Sequence, residues 1–347
     1  MKSCKHLKFN NIMKNIILAF VVLGLFFSTL QAQDFSGLYE TTVKSVVTIV
    51  TSDYEIKNGA VAQTGGIGSG VLIDTIGHVI TASHVVHNAN SIKVKFNSGS
   101  IIDAQIISSI PSTDIALLKL EYLPKNAIPA LIGNSDKTKI GESIFIIGAP
   151  LGLEYSFSTG HLSGKMNKSM LSRGQIIEFL QTDAAINHGN SGGPMFNDKG
   201  EVIGIVSFIL SQSGGFEGVG FSVSITPAIK MLFETSSIWT GFDGYFLDER
   251  LAGILNIPQN SGMLVQRVID KSIASKIGMR GGYLKFNYLG NEILLGGDII
   301  LSVLGTSCDT PHNFNSIKEQ IKSLQKGQSV YMTILRKGEI MDVYLDM

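Results

Sequence analysis

The sequence predicts a mainly β protein with two domains, the first of them an antiparallel barrel or sandwich. Between residues 46 and 225, short apolar runs of strand length alternate with turn residues, and a helical period is almost absent. The 38 glycines have no collagen-like repeat and suit turns and strand ends. A length of 347 residues indicates two domains, and a content of only 16% charged residues indicates a globular protein and not a disordered chain.

The first domain contains a series of short strand-like runs and then one helix. The helix is predicted from Pro227 to about residue 233, because proline suits a first helical turn. Turns are predicted at 97–99 and 197–200. Examples of the strand-like runs lie at residues 46–50, 70–73, 78–82, 92–96, 115–120, 143–147, 176–181, 202–208 and 218–223.

A second domain is predicted over residues 240–347, because the composition changes after Ser236 and about 100 residues suffice for an independent domain. The first domain then covers residues 33–236. Within the second, an extended segment at 262–268 and strands near 298–303 and 329–335 surround one helix at 313–324, which carries its apolar residues on one face.

The N-terminus, residues 1–32, has the pattern of a signal peptide. Four lysines precede an apolar run at residues 16–30, and Ala32 marks the expected cleavage site. The run has about 15 residues, fewer than the roughly 20 that span a bilayer as a helix. We therefore expect an exported, periplasmic protein; an uncleaved membrane anchor formed by residues 16–30 is the alternative.

Charge and cysteine content exclude several classes of protein. Cleavage after Ala32 leaves 24 basic and 28 acidic residues, a net charge of −4, which gives no electrostatic basis for binding nucleic acid. Only Cys308 remains after cleavage, so the mature chain has no intrachain disulfide. His84 and His87 lack a third ligand at a suitable spacing, so neither a metal nor another cofactor is expected.

The glycine-rich segment GNSGGP at residues 189–194 presents Ser191 as a candidate nucleophile. Flanking glycines permit a tight turn and a close approach of a substrate carbonyl, and the N–H groups of Gly189 and Ser191 are candidate oxyanion donors. A plain glycine-rich loop is the simpler interpretation. The nucleophile elbow of α/β-hydrolases fits poorly, because the histidine of such enzymes follows the serine and only His312 does so here.

Two further segments provide a base and an acid. His84 follows an apolar strand, and Asp114 opens another. A histidine takes the serine proton when a buried carboxylate fixes its tautomer. Each residue alone could be structural, but the order His84, Asp114, Ser191 within a β pattern predicts a catalytic triad.

These segments resemble the HtrA/Deg family of trypsin-like serine endopeptidases. The similarity lies at residues 68–70, 81–86, 113–120 and 181–194, and the family's C-terminal PDZ domains extend it over nearly the whole mature chain. The resemblance implies a trypsin-like double six-stranded β-barrel followed by a PDZ domain, itself a small α+β sheet with helices. It also implies ATP-independent cleavage of unfolded or misfolded envelope proteins, as part of protein quality control, by a homotrimer.

Two features depart from the family pattern. His188 replaces the usual proline before Gly189, in the loop that shapes the oxyanion hole, so the resting enzyme could be inactive. The loop at residues 52–65 is short, which argues against the long regulatory insertion of some cage-forming members.

The resemblance also indicates ligand sites. Ile205, Phe208, Val219 and Phe221 are the candidate specificity pocket; barrel core is the alternative interpretation, above all for Ile205. In the second domain, Gly241 and Phe242 resemble a PDZ loop that binds the C-terminal carboxylate of a peptide, and a Gly-Gly-Asp turn ending at residue 298 supports the PDZ assignment. A structural domain without a ligand is the alternative there, and residues 283–295 have no assigned role.

The sequence therefore predicts a serine-type endopeptidase that acts through an acyl-enzyme. A catalytically silent PDZ-containing chaperone or peptide-binding protein is the alternative, since capture of unfolded chains does not require the triad. All three triad residues are present, which favours the enzyme.

Overall fold

The computed structural model describes residues 34–57, 60–169, 176–211, 215–234, 240–270, 272–324 and 328–346. The predicted signal peptide and the predicted domain boundary at 236–240 lie largely outside them. The chain divides into two compact units, residues 1–40 and 41–347. No helix among the described residues is long and apolar enough to cross a membrane.

The first barrel is a closed sheet of six antiparallel strands in the order β1-β2-β3-β6-β5-β4. Valine and isoleucine at alternate positions fill its interior, because successive strand residues face opposite sides of a sheet. Helix α1 (Ser36–Thr42) and a 3-10 turn (Val43–Ser45) precede it, and helix α2 (Ser83–Val86) follows β3. The strands are β1 (Val46–Lys57), β2 (Ala60–Leu72), β3 (His78–Thr81), β4 (Ser91–Phe96), β5 (Ile101–Ile110) and β6 (Ile115–Leu120).

The second barrel is also closed by six antiparallel strands, in the order β11-β8-β9-β10-β13-β12, with β12 pairing back to β11. The short β7 runs parallel to β12 at the margin. Helix α3 (Ile225–Glu234) follows, and 3-10 turns lie at Ser135–Lys137 and Pro150–Gly152. The strands are β7 (Leu131–Ile132), β8 (Ser143–Gly148), β9 (Ser156–Ser169), β10 (Ile176–Thr182), β11 (Pro194–Asn197), β12 (Glu201–Ile209) and β13 (Gly220–Ser224).

The C-terminal region is a sheet in the order β14-β15-β18-β20-β21, with β19 beside β18 and a separate hairpin of β16 and β17. Its helices are α4 (Glu249–Ile254), α5 (Ile273–Lys276) and α6 (Pro311–Ser323). The strands are β14 (Phe242–Leu247), β15 (Gly262–Val268), β16 (Leu284–Tyr288), β17 (Asn291–Leu295), β18 (Ile299–Val303), β19 (Thr306–Ser307), β20 (Ser329–Arg336) and β21 (Glu339–Asp346).

The carboxylate of the Gly-Gly-Asp turn anchors this sheet. Asp298 is 1% exposed and accepts two hydrogen bonds from the Arg336 guanidinium, at 2.8 and 2.7 Å, and one from the Arg280 N–H at 2.8 Å. The hydrogen bonds to Asp298 raise the pKa of Arg336. A buried charge is tolerated when it is paired in this bidentate way, so the turn has a structural role.

Polar contacts join the first barrel to β15 of the C-terminal sheet. Arg267 Nη1 lies 3.1 Å from Asp53 Oδ2, and Asn90 Nδ2 donates to Asp53 Oδ1 at 2.9 Å. The Asp270 N–H donates to Asn90 Oδ1 at 3.1 Å. A cavity of about 450 Å³ lies at this junction.

The structure differs from the sequence predictions at a loop and at the ends of two helices, and it contains strands, β5 and β9 among them, that were not predicted. The predicted loop at 52–65 is largely strand, because the pairing of β1 with β2 continues from Val46↔Val71 to Lys57↔Ala60. The helix predicted from Pro227 begins two residues earlier, at Ile225. The last helix begins at Pro311, where the Thr310 side chain accepts from the Asn313 N–H, and ends at Ser323.

Candidate active site

His84 lies in the single-turn helix α2, directly after β3. Its backbone N–H donates to Asp114 Oδ1 at 3.0 Å, and its ring Nδ1 lies 2.9 Å from both carboxylate oxygens. Because a carboxylate can only accept, Nδ1 carries the proton and Nε2 is left with its lone pair. The side chain of His84 is 51% exposed and that of Asp114 is 21% exposed, so the base is accessible and the acid is shielded.

Asp114 lies in the turn between β5 and β6 and has a φ of +56°. Few residues other than glycine adopt this conformation, and aspartate is among the better tolerated. Its Oδ2 also accepts a hydrogen bond from the Ser207 hydroxyl of β12. The carboxylate is therefore held by both barrels. Sequence reasoning missed Ser207, which is 93 residues away in the chain.

The Ser191 turn packs against the segment that carries His84. The Ser191 carbonyl accepts from the Ser69 N–H at 2.8 Å. A Cβ on Gly68 would lie 2.6 Å from a methyl of Val85 and 3.2 Å from the Ser191 carbonyl oxygen. Gly68 therefore lies between the nucleophile turn and the residue that follows His84.

Gly192 makes this approach possible. It has a φ of +83°, and a Cβ there would collide with the Thr81 hydroxyl and the Ser69 carbonyl oxygen. Its N–H donates to the Val206 carbonyl at 2.7 Å, next to Ser207. Only glycine fits this position. The backbone hydrogen bonds of Ser191 with Ser69 and of Gly192 with Val206 join the turn to both barrels.

The candidate oxyanion donors are free. Within the described part of the chain, the N–H groups of Gly189 and Ser191 donate to no acceptor. Gly189 has a φ of +101°, and its carbonyl accepts from Ser69 Oγ at 2.7 Å. The side chain of His188 is exposed beside this turn. Two unpaired N–H groups beside a nucleophile can stabilise a developing oxyanion.

The candidate specificity residues lie on β12, on β13 and directly before β13. The rings of Phe208 and Phe221 stack with their centroids 4.9 Å apart, and Val219 is half-buried. Ile205 is fully buried in β12. Sequence reasoning missed Ile186: a Cβ on Gly220 would lie 2.5 Å from its Cδ1.

His87 is not part of a metal site in the described residues, where no group of three or more histidine, cysteine, aspartate or glutamate side chains converges. Its ring Nδ1 lies 2.8 Å from Ser109 Oγ. Burial lowers the pKa of His87, and the charge of Asp243 opposes this shift.

The second predicted ligand site lies at the edge strand β14. Gly241 has a φ of +77°, and its carbonyl accepts from the Ile269 N–H at 2.8 Å. Phe242 opens β14, which pairs only with β15 among the described strands. Phe246 of β14 meets Phe314 of α6 edge to face, with ring centroids 5.8 Å apart. An open strand edge beside a helix therefore lies next to Gly241 and Phe242.

Comparison with known proteins agrees with this geometry. The family model of the trypsin-like peptidase domain matches residues 68–205. The chain is 35% identical to proteins named probable periplasmic serine endoprotease DegP-like, over 286 residues in Hahella chejuensis and 283 residues in Pseudomonas putida. Each match covers 80% of this chain, and 56% and 55% of the relative, respectively. The chain thus spans a little over half the length of these relatives.

Solved structures extend the similarity beyond the barrels. The HtrA-type protease AlgW with a decapeptide superposes with a TM-score of 0.52 and 26% identity, over 90% of this chain and 98% of that one. AlgW with a tripeptide gives the same TM-score and identity over 96% of its chain. Together, the family model, the relatives and these solved structures support membership of the HtrA/Deg family.

Proposed function

We propose that this protein is a serine endopeptidase with His84, Asp114 and Ser191 as its catalytic triad. The observation that carries the proposal is the hydrogen-bonded pair of His84 and Asp114. The Ser191 turn packs against the segment that contains His84. The hydrogen bond that His84 Nδ1 donates to Asp114 fixes the tautomer in which His84 Nε2 can accept a proton, as a general base requires.

The mechanism follows from these groups. Ser191 Oγ attacks the substrate carbonyl while His84 takes the hydroxyl proton, and the N–H groups of Gly189 and Ser191 bind the oxyanion. His84 then gives the proton to the leaving amine, which breaks the peptide bond and leaves an acyl-enzyme. Water, deprotonated by His84, then attacks the acyl carbonyl. The ester bond to Ser191 Oγ breaks, His84 returns the proton to that oxygen, and the second product leaves as the free acid. ATP takes no part in these steps.

The substrates proposed are unfolded or misfolded proteins of the cell envelope, and the relatives' names support a periplasmic location. Phe208, Val219, Phe221 and Ile186 are the proposed lining of the pocket for the residue before the cut. Ile186 fills the space beside Gly220, which favours a small side chain such as alanine or valine. Such residues are buried in folded proteins, so an apolar pocket selects unfolded chains.

Residues 240–347 are proposed to be a PDZ domain that binds the C-termini of peptides. The free edge of β14 can pair with an added peptide strand, and backbone N–H groups near Gly241 and Phe242 can hold the terminal carboxylate. The peptide complexes of AlgW support binding of peptides in this family. A homotrimer is proposed from the family resemblance alone. A peptide with a free C-terminus should bind to Ser191→Ala as well as to the wild type, and should no longer bind to Phe246→Ala. This result would support binding between β14 and helix α6.

Digestion of a protein in two forms tests the proposed function. Wild-type enzyme should cut casein and a reduced, unfolded protein, and should leave the same protein intact when it is native. Ser191→Ala should cut neither. Equal activity of the wild type and Ser191→Ala, or no activity in either, would favour the silent peptide-binding protein, and equal cleavage of both forms would contradict the substrate class.

A further inference from the structure

Helix α2, which carries the proposed base, is too short to hold its own position. It contains four residues, Ser83–Val86, and its own backbone bonds are few: the Val85 N–H donates to the Ala82 carbonyl at 3.3 Å and the His87 N–H to the Ser83 carbonyl at 2.8 Å. A single turn of helix is unstable alone because nucleation costs more than one bond returns. Its orientation therefore depends on side-chain contacts.

One buried hydroxyl contacts both ends of this turn. Ser109 Oγ lies 2.8 Å from Ser83 Oγ and 2.8 Å from His87 Nδ1. Ser83 precedes His84 by one residue and His87 follows it by three. Ser83 is 1% exposed and Ser109 is 9% exposed, so water does not readily replace these bonds.

Ser109 also has a defined relation to the acid. It lies in β5, opposite Ala116 of β6, and the turn between these strands carries Asp114. The base and the acid are thus joined twice: directly by the bonds between His84 and Asp114, and indirectly through Ser109. Removal of the indirect connection leaves the direct one to define the position of His84.

The hydrogen-bond directions are mutually consistent. Burial lowers the pKa of His87, so at neutral pH its Nδ1 can accept from the Ser109 hydroxyl. Ser109 Oγ can then accept from the Ser83 hydroxyl. Each hydroxyl in this chain donates once, and the ring proton of His87 then lies on Nε2.

We propose that Ser109 is a positioning residue of the active site, which fixes the helix that carries His84 by bonding Ser83 and His87 at its two ends. This inference rests on the proposed triad, because positioning matters only if His84 is the base. A misplacement of a catalytic group by a fraction of an ångström lowers kcat and leaves substrate binding nearly unchanged.

The test is a comparison of Ser109→Ala with Ser109→Thr and Ser91→Ala. Ser109→Ala should lower kcat about tenfold with KM within about twofold, since it removes two buried hydrogen bonds beside the base. Ser109→Thr keeps the hydroxyl and should recover most of kcat. Ser91→Ala removes a hydroxyl pair of similar length, 2.7 Å to Ser52, from an exposed part of the same barrel and should change neither constant.

Hydrogen exchange provides a readout that does not need turnover. In the Ser191→Ala background, Ser109→Ala should raise amide exchange at residues 83–87 and leave β3 protected. Unchanged exchange and kcat would overturn the proposal, and so would raised exchange with kcat unchanged, since Ser109 would then be structural only. Absence of turnover in a folded wild type would contradict the proposed function instead, and the exchange result would still decide whether Ser109 holds the helix.

Discussion

The two barrels build their halves of the proposed active site by different means. The first barrel supplies His84 and Asp114, which are fixed by side-chain hydrogen bonds. The second supplies Ser191, which is fixed by backbone bonds and by glycines that allow close packing. We therefore expect the first half to lose activity when a hydrogen-bond donor or acceptor is removed, and the second when a side chain is added to the turn at Gly192.

The largest effect is expected from Gly192→Ala. The added methyl would collide with Thr81 and Ser69, so the variant should lose all activity and about 4 kcal/mol or more of unfolding free energy. Gly99→Ala is the matched control: Gly99 has a similar φ of +87° but nothing within 4 Å of an added Cβ. It should lose only about 1 kcal/mol, from backbone strain, and keep its activity. Urea denaturation and peptidase assays measure both, and equal effects would contradict the difference in packing.

Asp114→Asn should lower kcat about 10⁴-fold with little loss of stability. The amide can donate to His84 Nδ1 and stabilise the tautomer with the proton on Nε2, which cannot act as the base. Asparagine also adopts a φ of +56° readily, so the backbone of the turn is kept. Asp103→Asn, which breaks only the exposed ion pair with Lys93, should retain full activity. If kcat for a chromogenic peptide falls by less than tenfold in Asp114→Asn, this carboxylate does not orient the base.

Ser207→Ala should have a smaller effect, about a tenfold loss in kcat, because it removes one donor to Asp114 Oδ2. Ser222→Ala provides the control. Ser222 is also fully buried, in the neighbouring β13, and its hydroxyl has no partner among the described residues. Its removal should leave kcat unchanged and stability equal or higher. Equal kcat losses in the two variants would show that packing, not the hydrogen bond, explains the result.

The two halves also differed in how far the sequence predicted them. Chain order and local context predicted His84, Asp114 and Ser191 as the triad, because each lies near a strand end with its own short motif. Ser207 and Ile186 gave no local signal, since their contacts arise only when distant strands close a barrel. Strand β9 was missed because its sequence is polar and glycine-containing, and its regularity comes from pairing with β8 and β10.

In the C-terminal region, too, contacts between residues far apart in the chain could not be predicted from local sequence. The Gly-Gly-Asp turn was recognised, but the role of Asp298 became apparent only from Arg336, 38 residues later. Residues 283–295, which had no assigned role, form the hairpin of β16 and β17. Tyr288 and Ile293 of this hairpin are buried with Leu264 of the sheet, so it is part of the core of this region.

Labelling with a fluorophosphonate probe tests the central claim most directly, because the probe reacts only with a serine that an adjacent base has activated. Mass spectrometry of the labelled wild type should place the adduct on Ser191, and His84→Ala and Ser191→Ala should remain unlabelled while folded. An adduct on another residue, or a folded wild type that takes up no label, would contradict the assignment of Ser191 as the nucleophile.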